Sequence, residues 1–165
     1  MSEFRIEKRR ALAELTLTSG PVVQGCFFLA GSRAGHAGPE RVVDLLNGET
    51  GFFPFELTSP GDGADAASQT VLYNRAHVVV VRLVEQTTEA RLDPGYDVAT
   101  ERRVRILMSN GTAVTGTVRV YRPMGRDRLS DYARLPETFR YVETGTETFV
   151  VNMEHAVDLR EIPCR

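Results

Sequence analysis

Two histidines of this chain sit in the same short phrase, Asn74-Arg75-Ala76-His77 and Asn152-Met153-Glu154-His155. An asparagine that bonds its own backbone at a left-handed turn position, with the histidine capping the next strand, is the structural reading of that phrase. A second group with chemical reach is RVYRPMGRDR (119–128), where Arg119, Arg122, Arg126 and Arg128 surround Tyr121. Guanidinium groups interleaved with an aromatic ring on a loop can hold phosphate and stack a base. Asp127 and Asp131 dilute that charge, so a solvated strand end is the competing reading.

Catalysis finds less to work with. His36 lies in a glycine-rich stretch, without a Ser or Cys placed to form a triad and without metal-ligand spacing. The carboxylates of GDGAD (61–65) fall short of a calcium-loop pattern. No glycine-rich loop runs from a strand into a long helix to cradle phosphate. The reading is a non-enzyme, with no catalytic residue, metal or cofactor.

A third repeated feature is Arg-x-x-Asp, at Arg41 with Asp44 and again at Arg128 with Asp131. Residues three apart share a helix face, so each pair can bridge, and an exposed bridge contributes a few tenths of a kcal/mol, about 0.2–0.5. These pairs are read as structural, anchoring a short helix.

The elements that position these groups follow from composition and repetition. The chain has 165 residues, 42% hydrophobic and 25% charged, with a formal net charge of −2. Those values describe an ordinary globular chain that can bury a core and has no global positive field to attract nucleic acid or anionic membrane. Cys26 and Cys164 are too few for a disulfide framework or a zinc cluster. No stretch has the roughly 18–20 apolar residues needed to span a membrane, and the N-terminus is charged from the start. A cytoplasmic protein is expected.

The chain reads as a tandem duplication in three aligned blocks. AELTLTSGPVVQGCFFL (13–29) matches VRILMSNGTAVTGTVRV (104–120) at an offset of 91, and ERVVDLLNGETGFFPFE (40–56) matches DRLSDYARLPETFRYVE (127–143) at 87. TVLYNRAHVVVVRL (70–83) matches TFVVNMEHAVDLRE (148–161) at 78. The offset falls because the first copy carries two extra Gly- and Ala-rich segments, 30–38 and 59–68, as surface loops do. The expected division is a first repeat at 1–85, a linker at 86–100 and a second repeat at 101–165.

Each copy is expected to hold five short strands and one helix. Val104, Ile106 and Met108 alternate inward, Asn110-Gly111 turns a hairpin, and Val114, Gly116, Val118 and Val120 form a strand that bends at its glycine. Asp127 is placed to cap a helix of about two turns, which Pro136 stops. In the first copy Pro39 and Glu40 open the helix and Asn47-Gly48 close it.

That pattern, V-x-I-x-x-x-N-G-x-x-V-x-G-x-V followed by a fourth strand ending in Val-Asn before a tight turn, resembles the Sm-like fold. The Arg-Leu-Ser-Asp helix at 128–131, between the second and third strands, resembles a group of bacterial Sm-like domains with that insertion. The resemblance implies a mainly β protein of two tandem five-stranded Sm-like barrels, each with a short helix between strands two and three. It also implies RNA contact at the turn between strands four and five, which makes Asn74, Arg75, His77, Asn152 and His155 candidate binding residues beside Arg119, Arg122 and Arg126. Glu154, in the place of Arg75, would repel phosphate. Sm-like barrels further leave open edges on their fourth and fifth strands. The leading expectation is therefore a scaffold or regulatory module acting through protein contacts or self-association at strand edges, with RNA as the alternative partner.

Overall fold

The computed structural model describes residues 8–31, 39–58, 69–84 and 89–163. The first half contributes β1 (Lys8–Leu17), β2 (Val22–Ala30), α1 (Val42–Gly48), β3 (Phe52–Leu57), β4 (Gln69–Asn74) and β5 (Val78–Leu83). The second contributes β6 (Thr100–Met108), β7 (Ala113–Val120), α2 (Leu129–Ala133), β8 (Phe139–Glu143), β9 (Thr148–Asn152) and β10 (Ala156–Glu161). Two 3-10 turns, Glu89–Leu92 and Tyr96–Val98, lie between the halves. A further 3-10 turn joins strands four and five of each copy, Arg75–His77 and Met153–His155.

The period-two pattern of the sequence sets which side chains face inward. Val104, Ile106 and Met108 of β6 are at most 1% exposed, and Val114, Val118 and Val120 of β7 are buried beside them. Hairpin glycines Gly20 and Gly111 have φ of 107° and 87°, the left-handed region that a side chain resists. The strand glycines serve close approach instead. A Cβ on Gly25 would stand 2.0 Å from the carbonyl oxygen of Glu56, and one on Gly116 would stand 2.6 Å from that of Glu143. Each second strand thus admits the backbone of the third strand closely at its glycine.

The fold is mainly β, with ten strands among the described residues, all paired antiparallel. The expectation of two separate five-stranded barrels is corrected by the strand order, β10-β6-β7-β8-β9-β5-β1-β2-β3-β4, which is one open sheet. The physical cause is the pairing of β5 with β9, Val80 opposite Val151 and Val81 opposite Val150, which makes the hydrogen-bonded ladder continuous across the halves. Within it the order β5-β1-β2-β3-β4 recurs as β10-β6-β7-β8-β9.

Two apolar cores lie along this sheet, and the junction strands feed both. The first core gathers Leu15, Phe27, Leu29, Val42, Leu46, Phe53 and Phe55, and the second Val104, Ile106, Val114, Val118 and Tyr132. From β5, Val78, Val81 and Leu83 enter the first core while Val79 and Val80 enter the second. From the second half, Phe139 and Val150 cross into the first core. Strands buried on both faces read as continuous apolar runs, which explains the Val78–Val81 run.

Two local expectations change. The N-cap of α2 is Arg128, and Asp127 instead accepts a hydrogen bond from the Thr100 hydroxyl at 2.9 Å. Asn74 and Asn152 keep extended backbones, φ −80° and −81°, so they cap their turns by side chain alone.

Candidate interaction site

The Asn-x-x-His turn has the same internal wiring in both copies. Asn74 Oδ1 accepts the Ala76 amide at 3.0 Å, and Asn152 Oδ1 accepts the Glu154 amide at 3.0 Å. His77 Nδ1 meets the Thr18 hydroxyl at 2.7 Å, and His155 Nδ1 meets the Ser109 hydroxyl at 3.2 Å. Thr18 and Ser109 begin the β1–β2 and β6–β7 hairpin turns, so each histidine ties the two turns of its copy together. These bonds satisfy the structural reading of the phrase.

The remaining donors distinguish the copies. Asn152 Nδ2 donates to the Val78 carbonyl at 2.9 Å, and His155 Nε2 donates to the Ala76 carbonyl at 2.6 Å. Because a carbonyl only accepts, Nε2 carries a proton. Both bonds reach from the second half into the turn and strand of the first. Asn74 Nδ2 and His77 Nε2, their counterparts, have no partner among the described residues.

Two more residues complete this clamp. Asn47 of α1 brackets the backbone of Phe139, donating from Nδ2 to its carbonyl and accepting its amide on Oδ1, both at 2.8 Å. Arg82 of β5 binds Glu14 at 2.9 Å and Glu147, which precedes β9, at 3.2 Å. Arg82 holds the Glu14 carboxyl below its ordinary pKa, chiefly by that hydrogen bond.

The same comparison extends to apolar side chains. Phe139 is 3% exposed and Val150 fully buried, whereas their counterparts Phe52 and Leu72 are each 63% exposed. At the opposite end, Val79 is fully buried in β5 and its counterpart Val157 in β10 is 64% exposed. β4 and β10 each pair on one side only among the described residues.

The predicted arginines divide between interior and surface. Arg75 is buried, and its guanidinium donates to the Leu45 carbonyl at the end of α1 and to the Phe52 carbonyl at 2.9 Å, over the Phe53 ring. In the second half that task falls to Arg140, which donates to the Tyr132, Leu135 and Glu137 carbonyls. Both satisfy carbonyls that a short helix leaves unpaired. Arg119 lies over the Tyr96 ring at 3.5 Å, bonds the Tyr96 carbonyl and pairs with Glu101 at 2.8 Å. Arg122 and Arg126 are exposed in the loop after β7.

The helix pairs also differ. Arg41 and Asp44 form a two-pronged bridge, each contact at 3.0 Å, and Arg41 extends to Asp93. Asp131 accepts the Arg128 backbone amide at 3.1 Å, while the Arg128 guanidinium has no ion pair among the described residues. A cleft of about 530 Å³ is lined by residues of α1, α2 and β8, and its Arg41, Arg119 and Arg140 all carry the internal bonds given above. His36, the 61–65 carboxylates and Cys164 lie outside the described residues.

Sequence reasoning singled out the Asn-x-x-His turns and missed Phe52, Leu72, Val157, Asn47 and Arg140. The gapless alignment of Phe52 with Phe139 was a usable signal, but only burial shows that one member crosses into the other half. No protein-family model, curated protein or solved structure matches this chain.

Proposed function

We propose that this chain is a non-catalytic binding module of two fused Sm-like units, which engages proteins by strand addition at the two ends of its sheet. The observation that carries this reading is that β4 and β10 end the ladder with one side unpaired among the described residues while displaying Leu72 and Val157 to solvent. An edge strand offers a row of backbone donors and acceptors, and exposed apolar side chains beside it supply the specificity pockets of β-augmentation. The repeated five-strand order and the helix between second and third strands support the Sm-like assignment. RNA contact at the strand four–five turns has little to draw on, since Arg75 is committed to helix carbonyls and Glu154 adds a negative charge.

The test is to compare the proteins retained from the source cells by immobilised wild type with those retained by Leu72→Asp and Val157→Asp. Both sites are exposed, so the fold is expected to survive. Partners lost on either variant support edge docking. An unchanged set would contradict it.

A further inference from the structure

The segment between the halves and the loop after β7 form one surface. Asp93 accepts the Tyr121 hydroxyl at 3.1 Å, the Tyr96 carbonyl accepts from the Arg119 guanidinium at 2.8 Å, and Asp127 accepts the Thr100 hydroxyl at 2.9 Å. These three ties lay residues 93–100 along residues 119–127. A Cβ placed on Gly95 would stand 3.8 Å from both the Tyr121 ring and a Val98 methyl, so those two side chains flank the same spot.

That surface shows solvent more apolar area than a lone chain needs. Val98 is 87% exposed, Met124 is 92% exposed, and Tyr121 is exposed beside them. Met124 is held out by a closed turn, since the Arg126 amide donates to the Pro123 carbonyl at 3.0 Å and Gly125 takes a φ of 91°, as the third residue of a type II turn does. A fixed display of this kind loses little freedom on binding. Tyr, Met and Arg are the residues enriched at protein contact surfaces, and exposed apolar side chains gathered in one patch mark them.

The charge of the patch selects the partner. The guanidinium groups of Arg91, Arg122, Arg126 and Arg128 have no partner among the described residues, whereas Asp97 is the one carboxylate of segments 89–100 and 121–128 in that state. The patch is therefore locally positive on a chain of net charge −2. It adjoins the cleft of about 530 Å³, which shares Tyr121 and Arg122 with it and also has Val43, Leu135 and Phe139 in its lining.

We infer that this patch and cleft dock an acidic peptide segment of a partner protein, its carboxylates on Arg122 and Arg126 and its apolar side chains against Val98 and Met124 and into the cleft. A flat anionic bilayer would leave a concave cleft unfilled. An RNA strand stacks its bases on aromatic faces, but the exposed patch offers one ring among aliphatic side chains, and Asp44, Asp93, Glu137 and Glu143 in the cleft lining oppose phosphate. None of these residues belongs to β4 or β10, so the contact is independent of edge docking.

Panning a phage-displayed library of random short peptides on the immobilised full chain tests this. Enriched peptides are expected to be acidic with apolar residues interspersed. A synthetic fluorescent copy is expected to bind in anisotropy titrations and to lose affinity about tenfold or more on Met124→Asp, on Val98→Asp and on the Arg122→Glu, Arg126→Glu double variant. All four positions are exposed, so each variant is expected to keep wild-type circular dichroism. Leu72→Asp and Val157→Asp are expected to leave the affinity unchanged. Lysines in place of the peptide's acidic residues are expected to restore binding to the double variant, which an indirect effect on folding would not do. No enrichment, enriched peptides without acidic residues, or peptides that bind the patch variants as well as wild type overturn the inference. So does a chain that enriches no peptide but retains a single-stranded RNA pool or phosphatidylserine vesicles through Arg122 and Arg126, which would assign the arginines to phosphate.

Discussion

Arg75 shows how one residue type can serve different needs at the same place in a repeat. Its guanidinium ends α1 from the side, whereas the second copy has Met153 at that position and brings Arg140 to α2 from β8. Burial lowers the Arg75 pKa from its ordinary value, yet the group stays charged because an arginine starts so high. Arg75→Lys removes the planar fork and is expected to destabilise by about 1–3 kcal/mol, with Arg75→Ala at the upper end because buried carbonyls lose their donor. Denaturant unfolding checks the order. Glu89 supplies a pH signature. Its carboxylate accepts the Val42 amide at 3.1 Å and the Tyr141 hydroxyl at 3.0 Å, but burial outweighs these bonds and raises its pKa. A raised folded-state pKa contributes stability that is fully present below the unfolded value, about 4.3, and is lost as pH rises through the folded value. Glu89→Gln removes that loss. Its stability relative to wild type is expected to rise as pH climbs above about 4, and thermal melts that stay parallel above that pH would contradict the assignment.

Element by element, what could be read from the sequence depended on whether neighbours within one copy decide the outcome. The alternation of Val104, Ile106 and Met108, the Asn110-Gly111 turn and the close backbone approach at Gly116 are local matters of period and backbone freedom, and all were legible. The cap of α2 was misplaced by one residue because Asp127 is drawn to Thr100, a contact 27 residues away in sequence. The function of Asn152 and His155 was half legible. Their turn wiring follows from residue type, whereas their grip on Val78 and Ala76 depends on how the second half lies on the first. The strand glycines carry their own prediction. Gly25→Ala would push a Cβ to 2.0 Å from a backbone oxygen, closer than the 2.6 Å at Gly116. Both are expected to destabilise by roughly 1–3 kcal/mol or more, with Gly25→Ala the worse. Calorimetry of the two variants side by side reads that order.

At the scale of the whole molecule, the single open sheet explains why separate barrels were the wrong picture. Repeat boundaries mark where a segment was copied, but the ladder and both cores run through β5 and β9. With Val78, Val81, Val79 and Val80 divided between two cores, neither half can lose its packing without exposing the other. One cooperative thermal transition is expected, and two resolved transitions would show the halves to be energetically separate. Asn47→Ala, which frees the Phe139 backbone from its bracket, is expected to lower that transition by about 1–3 kcal/mol worth of stability without splitting it.

The central claim is that one hydrogen-bonded ladder runs unbroken through β5 and β9 and has its open edges at β4 and β10, and amide hydrogen exchange tests it most directly. The account predicts that β5 and β9 amides are strongly protected, while the outward amides of β4 and β10 exchange fast. Fast exchange along β5 and β9, or outward amides of β4 and β10 protected as strongly as theirs, would contradict it.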